Sequence, residues 1–105
     1  MVAKININNS NKLYKKALKI IPYGSQTYSK GVKAFSEGVS PKFLSHGKGC
    51  EVWDVDGNKF IDYVMANQPL ILGYADRDVN KAVEKQLSLG STFSVSNKLE
   101  IDVAE

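Results

Sequence analysis

Residues 49–63 read GCEVWDVDGNKFIDY. Glu51-Val52-Trp53-Asp54-Val55 and Lys59-Phe60-Ile61-Asp62-Tyr63 alternate apolar and polar side chains on either side of Asp56-Gly57-Asn58. A period of two sends successive side chains to opposite faces of a strand. Asp-Gly is a strong turn signal, because glycine takes a positive φ without a Cβ clash and aspartate tolerates one. The stretch is therefore a β-hairpin that displays Val52, Asp54 and either Phe60 or Ile61 from a rigid turn. Upstream, Lys42-Phe43-Leu44-Ser45-His46 alternates weakly and adds a strand, giving a three-stranded antiparallel meander over residues 42–64.

Helical signals flank the meander. Ser10 is placed to cap a helix running to about Ile20, with apolar positions at 13, 14, 17, 18 and 21, and Pro22 stops it. Residues 1–9 are polar and read as disordered, or as an arm ordered only when something receives it. Residues 22–41, PYGSQTYSKGVKAFSEGVSP, lack periodicity. A loop of that length is uncommon unless it is functional or covered, which makes it the first functional candidate. Pro69 excludes a central strand or helix interior over residues 64–73. Asp76 or Asp78 can cap a helix to Leu89, with Val79, Ala82, Val83, Gln86 and Leu87 on one stripe and Gly90 as its stop. Asn97 with Glu100 three residues on forms a capping box for a last helix. That helix has made only about two turns at Glu105, where an isolated helix is marginal. The expectation is an N-terminal piece of a longer protein.

Composition narrows the classes. The 105 residues are 43% hydrophobic and 24% charged, ordinary for a globular chain. No apolar run reaches the ~18 residues a membrane helix needs, and the N-terminus has no apolar signal core. A single cysteine, Cys50, fits a reducing cytoplasm. The lone His46 has no Cys or carboxylate at ligand spacing, so no metal site is expected. Net charge splits sharply, +8 over residues 1–48 and −5 over residues 49–105. Lys12, Lys15, Lys16 and Lys19 lie opposite Leu13, Ala17, Leu18 and Ile21, the pattern of a solvated helix face rather than a nucleic-acid surface.

One ordered series of residues carries a resemblance: Ile20-Pro22-Gly24, Gly47-Lys48-Gly49, Val52-Trp53-Asp54-Val55-Asp56-Gly57-Asn58, Phe60-Ile61-Asp62-Tyr63, Leu70-Ile71-Leu72-Gly73, the helix from Val79 to Leu87, Gly90 and Glu100 to Glu105. Over residues 13–105 the chain resembles the N-terminal segment of the class III, pyridoxal-phosphate-dependent aminotransferases, in the branch of the glutamate-1-semialdehyde aminomutases. The resemblance implies an α+β fragment: an N-terminal helix, a three-stranded antiparallel meander and following helices, as in the N-terminal part of a fold type I transferase. It divides the chain into an arm and helix (residues 1–21), an active-site-proximal loop (22–41), the sheet (42–64), and a loop with helices leading into a large domain (65–105). It implies transfer of an amino group between a small-molecule donor and a keto or aldehyde acceptor, pyridoxal 5'-phosphate as cofactor, and a homodimer.

The site residues follow from the same resemblance. Family aminomutases carry a Ser and an Arg where this chain has Thr27 and Lys30, and a Trp-Gly pair where it has Asn67 and Gln68. An Arg forks onto a carboxylate, whereas Lys is a point charge. The four positions are thus candidates for contact with substrate or cofactor, with polar recognition in place of a stacking aromatic. No catalytic residue is assigned. The cofactor lysine, the phosphate loop and the Asp on the pyridine nitrogen belong to the family's large domain, and none of the thirteen lysines here has a matching context. Residues 1–105 alone are thus expected to be inactive, to bind no cofactor covalently and to be poorly ordered or aggregation-prone. The alternative is a standalone module that binds a partner through its basic half.

Overall fold

The computed structural model describes residues 5–105. They form two units, one ending at Tyr74 and one running from Ala75 to Glu105.

The first unit is built on the hairpin. Strands β1 (Leu44–Lys48), β2 (Glu51–Asp54) and β3 (Lys59–Ile61) form an antiparallel sheet in the order β1-β2-β3. Val52 lies directly opposite Phe60, so both point to one face. Val52 is 3% exposed, and of Phe60 and Ile61 it is Phe60 that turns inward. Strand β1 lies two residues later than the alternation over residues 42–46 suggested, and a bulge between Leu44 and His46 shifts its register against β2. The bulged Ser45 sends its hydroxyl to the Trp53 and Asp54 carbonyls. His46 stacks on Trp53 with ring centroids 4.7 Å apart, which accounts for the lone histidine as a surface packing group.

Helix α1 (Asn8–Ile20) corrects two expectations. Asn8 and Asn9 are helical rather than part of an arm; the arm reading of residues 1–4 lies outside the described residues. Ser10 is not the cap. It sits inside the first turn and is fully buried, and the N-cap residue Ile7 offers no side-chain oxygen. The first N–H groups of a helix need acceptors all the same. Asp56, in the hairpin turn, supplies them: its two carboxylate oxygens accept from Asn9 N at 2.6 Å and Ser10 N at 2.8 Å. A carboxylate here also meets the positive end of the helix dipole. The cap comes from across the fold. Past the helix, residues 22–41 form three short 3-10 turns, Pro22–Gly24, Tyr28–Lys30 and Val32–Ala34. Gly24, at φ 73°, lies against Tyr14, where an added Cβ would come within 3.0 Å of the ring.

In the second unit, α2 (Arg77–Leu89) starts at Asp76, whose side chain accepts from Asp78 N and Val79 N, and stops at Gly90. Asp76 rather than Asp78 is the cap. Helix α3 (Lys98–Ala104) begins with the expected capping box of Asn97 and Glu100. The stripe of Val79, Val83 and Leu87 on α2 is exposed. Across the described residues only Ala17 and Val52 are buried apolar side chains.

Candidate functional site

The hairpin turn is held from within by Asp54, which is 2% exposed. One carboxylate oxygen accepts from Asp56 N at 2.9 Å and Asn58 N at 2.8 Å, and the other from Asn58 Nδ2 at 2.8 Å. Asn58 passes the restraint on, its amide also donating to the Asn6 carbonyl at 2.6 Å. The turn is thereby rigid enough to aim Asp56 at α1. Partial desolvation works to raise the Asp56 pKa. The Ser10 hydroxyl, the two backbone N–H groups and the Lys12 ammonium outweigh it, and the carboxyl lies below the usual carboxylate range. The Ser10 hydroxyl makes no hydrogen bond of ordinary geometry, so its help is that of a nearby dipole.

Downstream of β3 the chain leaves the sheet as a loop and returns at Tyr74. Asp62 N donates to the Cys50 carbonyl at 2.8 Å, and the Asp62 carboxylate then faces forward along the loop. Its Oδ1 accepts from Val64 N at 2.8 Å and Met65 N at 3.1 Å, and its Oδ2 accepts from the Tyr74 hydroxyl at 2.5 Å. Gly49 and Tyr74 exchange both backbone hydrogen bonds at 2.8 Å. Desolvation, together with the bond to the charged Asp62, pushes the Tyr74 pKa up to about 12. Desolvation alone would raise Asp62; the Tyr74 hydroxyl and the two backbone donors bring it below its ordinary value.

Between these anchors lie the two amides nominated from the sequence. Met65, Ala66, Asn67 and Gln68 have φ of 47°, 55°, 66° and 78°, a left-handed turn without a glycine. It is closed by Asn67 N and Gln68 N donating to the Val64 carbonyl and Gln68 N to that of Met65. Left-handed backbone costs an L-residue roughly 1–2 kcal/mol. Strain of this kind persists where the surroundings over-determine it, and it concentrates at functional sites. Asn67 and Gln68 are exposed and cap no helix. Thr27 and Lys30 sit at the two ends of the middle 3-10 turn, also exposed, with Lys30 N donating to the Thr27 carbonyl at 3.1 Å. Thr27 Oγ1 bonds Gln26, and Tyr23 packs edge-on to Tyr28 at 6.4 Å. The structure thus groups the four residues as two pairs on two surface segments, and no hydrogen bond among the described residues links one pair to the other.

Asp62 and Tyr74 were missed by sequence reasoning as supports of this region. Aspartate two residues before a bend is a local signal that was available; its partner twelve residues away was not.

The described residues do not fit as the holder of a pyridoxal cofactor. A Schiff-base lysine is a desolvated amine. Lys42, the half-buried one, is committed to Asn11 Oδ1 at 2.5 Å and to the Tyr14 ring, and Lys59 pairs with Glu51. The remaining described lysines are exposed. Among the described residues there is also no group of three His, Cys, Asp or Glu able to hold a metal ion, and no helix long and apolar enough to cross a membrane.

Residues 33–104 match the family model "Aminotransferase class-III". The chain is 43% identical over 95 residues to a glutamate-1-semialdehyde 2,1-aminomutase of Thermodesulfovibrio yellowstonii, an alignment covering 90% of this chain and 22% of that protein. Among solved structures it is similar to an omega-transaminase from Sphaerobacter thermophilus (TM-score 0.74, 28% identity, 92% of this chain and 22% of that one). It is also similar to a transaminase with pyridoxal phosphate bound (TM-score 0.78, 26% identity, 93% and 22%). The chain therefore spans about a fifth of the length of the relatives it matches.

Proposed function

Because this chain belongs to the class III aminotransferases, we propose that the whole protein is a pyridoxal-phosphate-dependent aminotransferase or aminomutase, of which these residues form the N-terminal, substrate-side part. It moves an amino group between a small-molecule donor and a keto or aldehyde acceptor, works as a homodimer and resides in the cytoplasm. An exposed, unpaired Cys50 agrees with that compartment. The comparisons lend nothing to the alternative of a standalone interaction module.

The chemistry in such an enzyme is the cofactor's, and the protein's part is binding, orientation and electrostatics. The residues here serve that part. Residues 22–41 lie beside the active site and offer the Thr27 hydroxyl oxygen as an acceptor, its proton being given to Gln26, and Lys30 as a point charge. The turn at residues 65–68 offers Asn67 and Gln68 as paired amides that read polar groups on the substrate by donating and accepting. The observation that carries this reading is the left-handed turn, which holds two exposed amides in a run where Met65, Ala66 and Gln68 each adopt a conformation their residue types avoid.

The test uses the protein expressed from its full coding sequence, which should release pyridoxal phosphate on denaturation. Asn67→Ala or Gln68→Ala should raise KM for one amino partner by ~5-fold, the worth of one neutral hydrogen bond, with kcat little changed. Unchanged KM for every donor and acceptor tried, in both variants, refutes the assignment of these amides.

A further inference from the structure

The turn that carries Asn67 and Gln68 is held from outside at one point. Among the described residues, the hydrogen bonds that reach residues 64–68 from outside the turn come from one group, the Asp62 carboxylate. That carboxylate is itself fixed on both sides. Behind it, Asp62 N is tied to the sheet through Cys50. Beyond it, the Tyr74 hydroxyl takes the second oxygen. Tyr74 is in turn immobilised by the exchange of backbone bonds with Gly49 and by its ring lying over Gly47, where an added Cβ would come within 2.5 Å of Cγ. Gly73 allows the same approach, since a Cβ there would sit 2.8 Å from the Gly49 carbonyl oxygen.

We propose that Asp62 and Tyr74 form a clasp that closes the loop from residue 62 to residue 74 and sets the left-handed turn, so that both are positioning residues for Asn67 and Gln68. The functional half of this proposal rests on the reading of those two amides as substrate-facing. Asp62 works in two directions at once. Its Oδ1 fixes the first two N–H groups of the loop and so the direction in which the turn begins. Its Oδ2 receives the far end of the same loop through Tyr74. Removing the Tyr74 hydroxyl frees the carboxylate to rotate and loosens the turn without touching an amide that faces the substrate.

The experiment is residue-resolved amide exchange on the protein from the full coding sequence, paired with steady-state kinetics. Tyr74→Phe keeps the ring over Gly47 and removes one charge-assisted bond. Exchange across residues 64–68 should accelerate ~10-fold. KM for the amino partner read by Asn67 and Gln68 should rise in step, with kcat within about 2-fold. Asp62→Ala should exceed this. Asp62→Asn, whose amide can still accept from Val64 and Met65 and donate to the tyrosine oxygen, should stay near the wild type. Unchanged exchange in Tyr74→Phe overturns the clasp, and this variant decides the matter even where Asp62→Ala does not fold. Faster exchange with unchanged KM, in a protein where Asn67→Ala does shift KM, overturns the positioning role. Faster exchange where Asn67→Ala and Gln68→Ala leave KM untouched upholds the clasp and removes only the reading of the amides as substrate-facing.

Discussion

Replacing Asp54 by Ala removes the acceptor for three hydrogen bonds from Asp56 N, Asn58 N and Asn58 Nδ2. The side chain is 2% exposed, so water replaces the carboxylate poorly and the two backbone donors are left short of partners. A hydrogen bond to a charged group is worth about 1.5–3 kcal/mol, but three that share one carboxylate do not add. The expected loss is about 3–4 kcal/mol, roughly the cost of breaking one buried charged network. Every 1.4 kcal/mol is tenfold, so the Asp56 and Asn58 amides should exchange with solvent over ~100-fold faster. Asp54→Asn separates the causes. Its oxygen still serves the two backbone N–H groups, while its amide opposes the Asn58 amide, donor to donor. It should lose only about 1–2 kcal/mol. The effect should also travel: with the turn loose, Asp56 no longer aims at Asn9 and Ser10, so their amides lose protection too. Residue-resolved exchange on the protein from its full coding sequence reads all four positions. Equal losses for Asp54→Ala and Asp54→Asn, or protection kept at Asn9 and Ser10 in Asp54→Ala, would refute the reasoning.

Further outcomes follow from the same contacts. The Asp56 carboxyl is held below its unfolded value of about 3.9, so its stabilising effect is complete above that pH and is lost as pH falls through the lower folded value. Acid titration monitored at the Asn9 and Ser10 amides should show this, and Asp56→Asn should abolish it. Tyr74 is raised to about 12, so its contribution is whole below the unfolded value near 10 and fades as pH climbs through 12; phenolate absorbance should show one late tyrosine that Tyr74→Phe removes. Gly47→Ala places a Cβ 2.5 Å from Tyr74 Cγ and should destabilise by about 1–3 kcal/mol in chemical denaturation, with loss of the late-titrating tyrosine. Residues 1–105 alone should carry no pyridoxal phosphate on a lysine; a visible internal-aldimine absorbance of the purified fragment with no cofactor added, lost on borohydride reduction, would count against this.

What the sequence disclosed was local. The Asp-Gly turn, a cap at Asp76 or Asp78, the Gly90 stop and the Asn97–Glu100 box each rest on residues within four positions of one another, and each appears in the structure, with Asp76 as the cap. Ser10 misled because an N-cap residue type before an apolar pattern is ordinarily a cap. The acceptor that displaced it lies 46 residues on, and no local rule reaches that far. The left-handed turn was invisible for the opposite reason. Met, Ala and Gln each avoid that conformation, and only the surrounding contacts impose it. Thr27, Lys30, Asn67 and Gln68 were named through family resemblance. Their own chemistry, exposed hydroxyl, amine and amides, matches many harmless surfaces.

The long reach of Asp56 also orders events in time. Bringing it to Ser10 closes a span of 46 positions, an entropic toll of ~3.4 kcal/mol before any contact is made. A helix of 13 residues is marginal by itself. The first turn of α1 should therefore wait for the hairpin. In a folding experiment, substitutions in the Asp54–Asn58 turn should slow folding, whereas those at Asn9 should mainly speed unfolding.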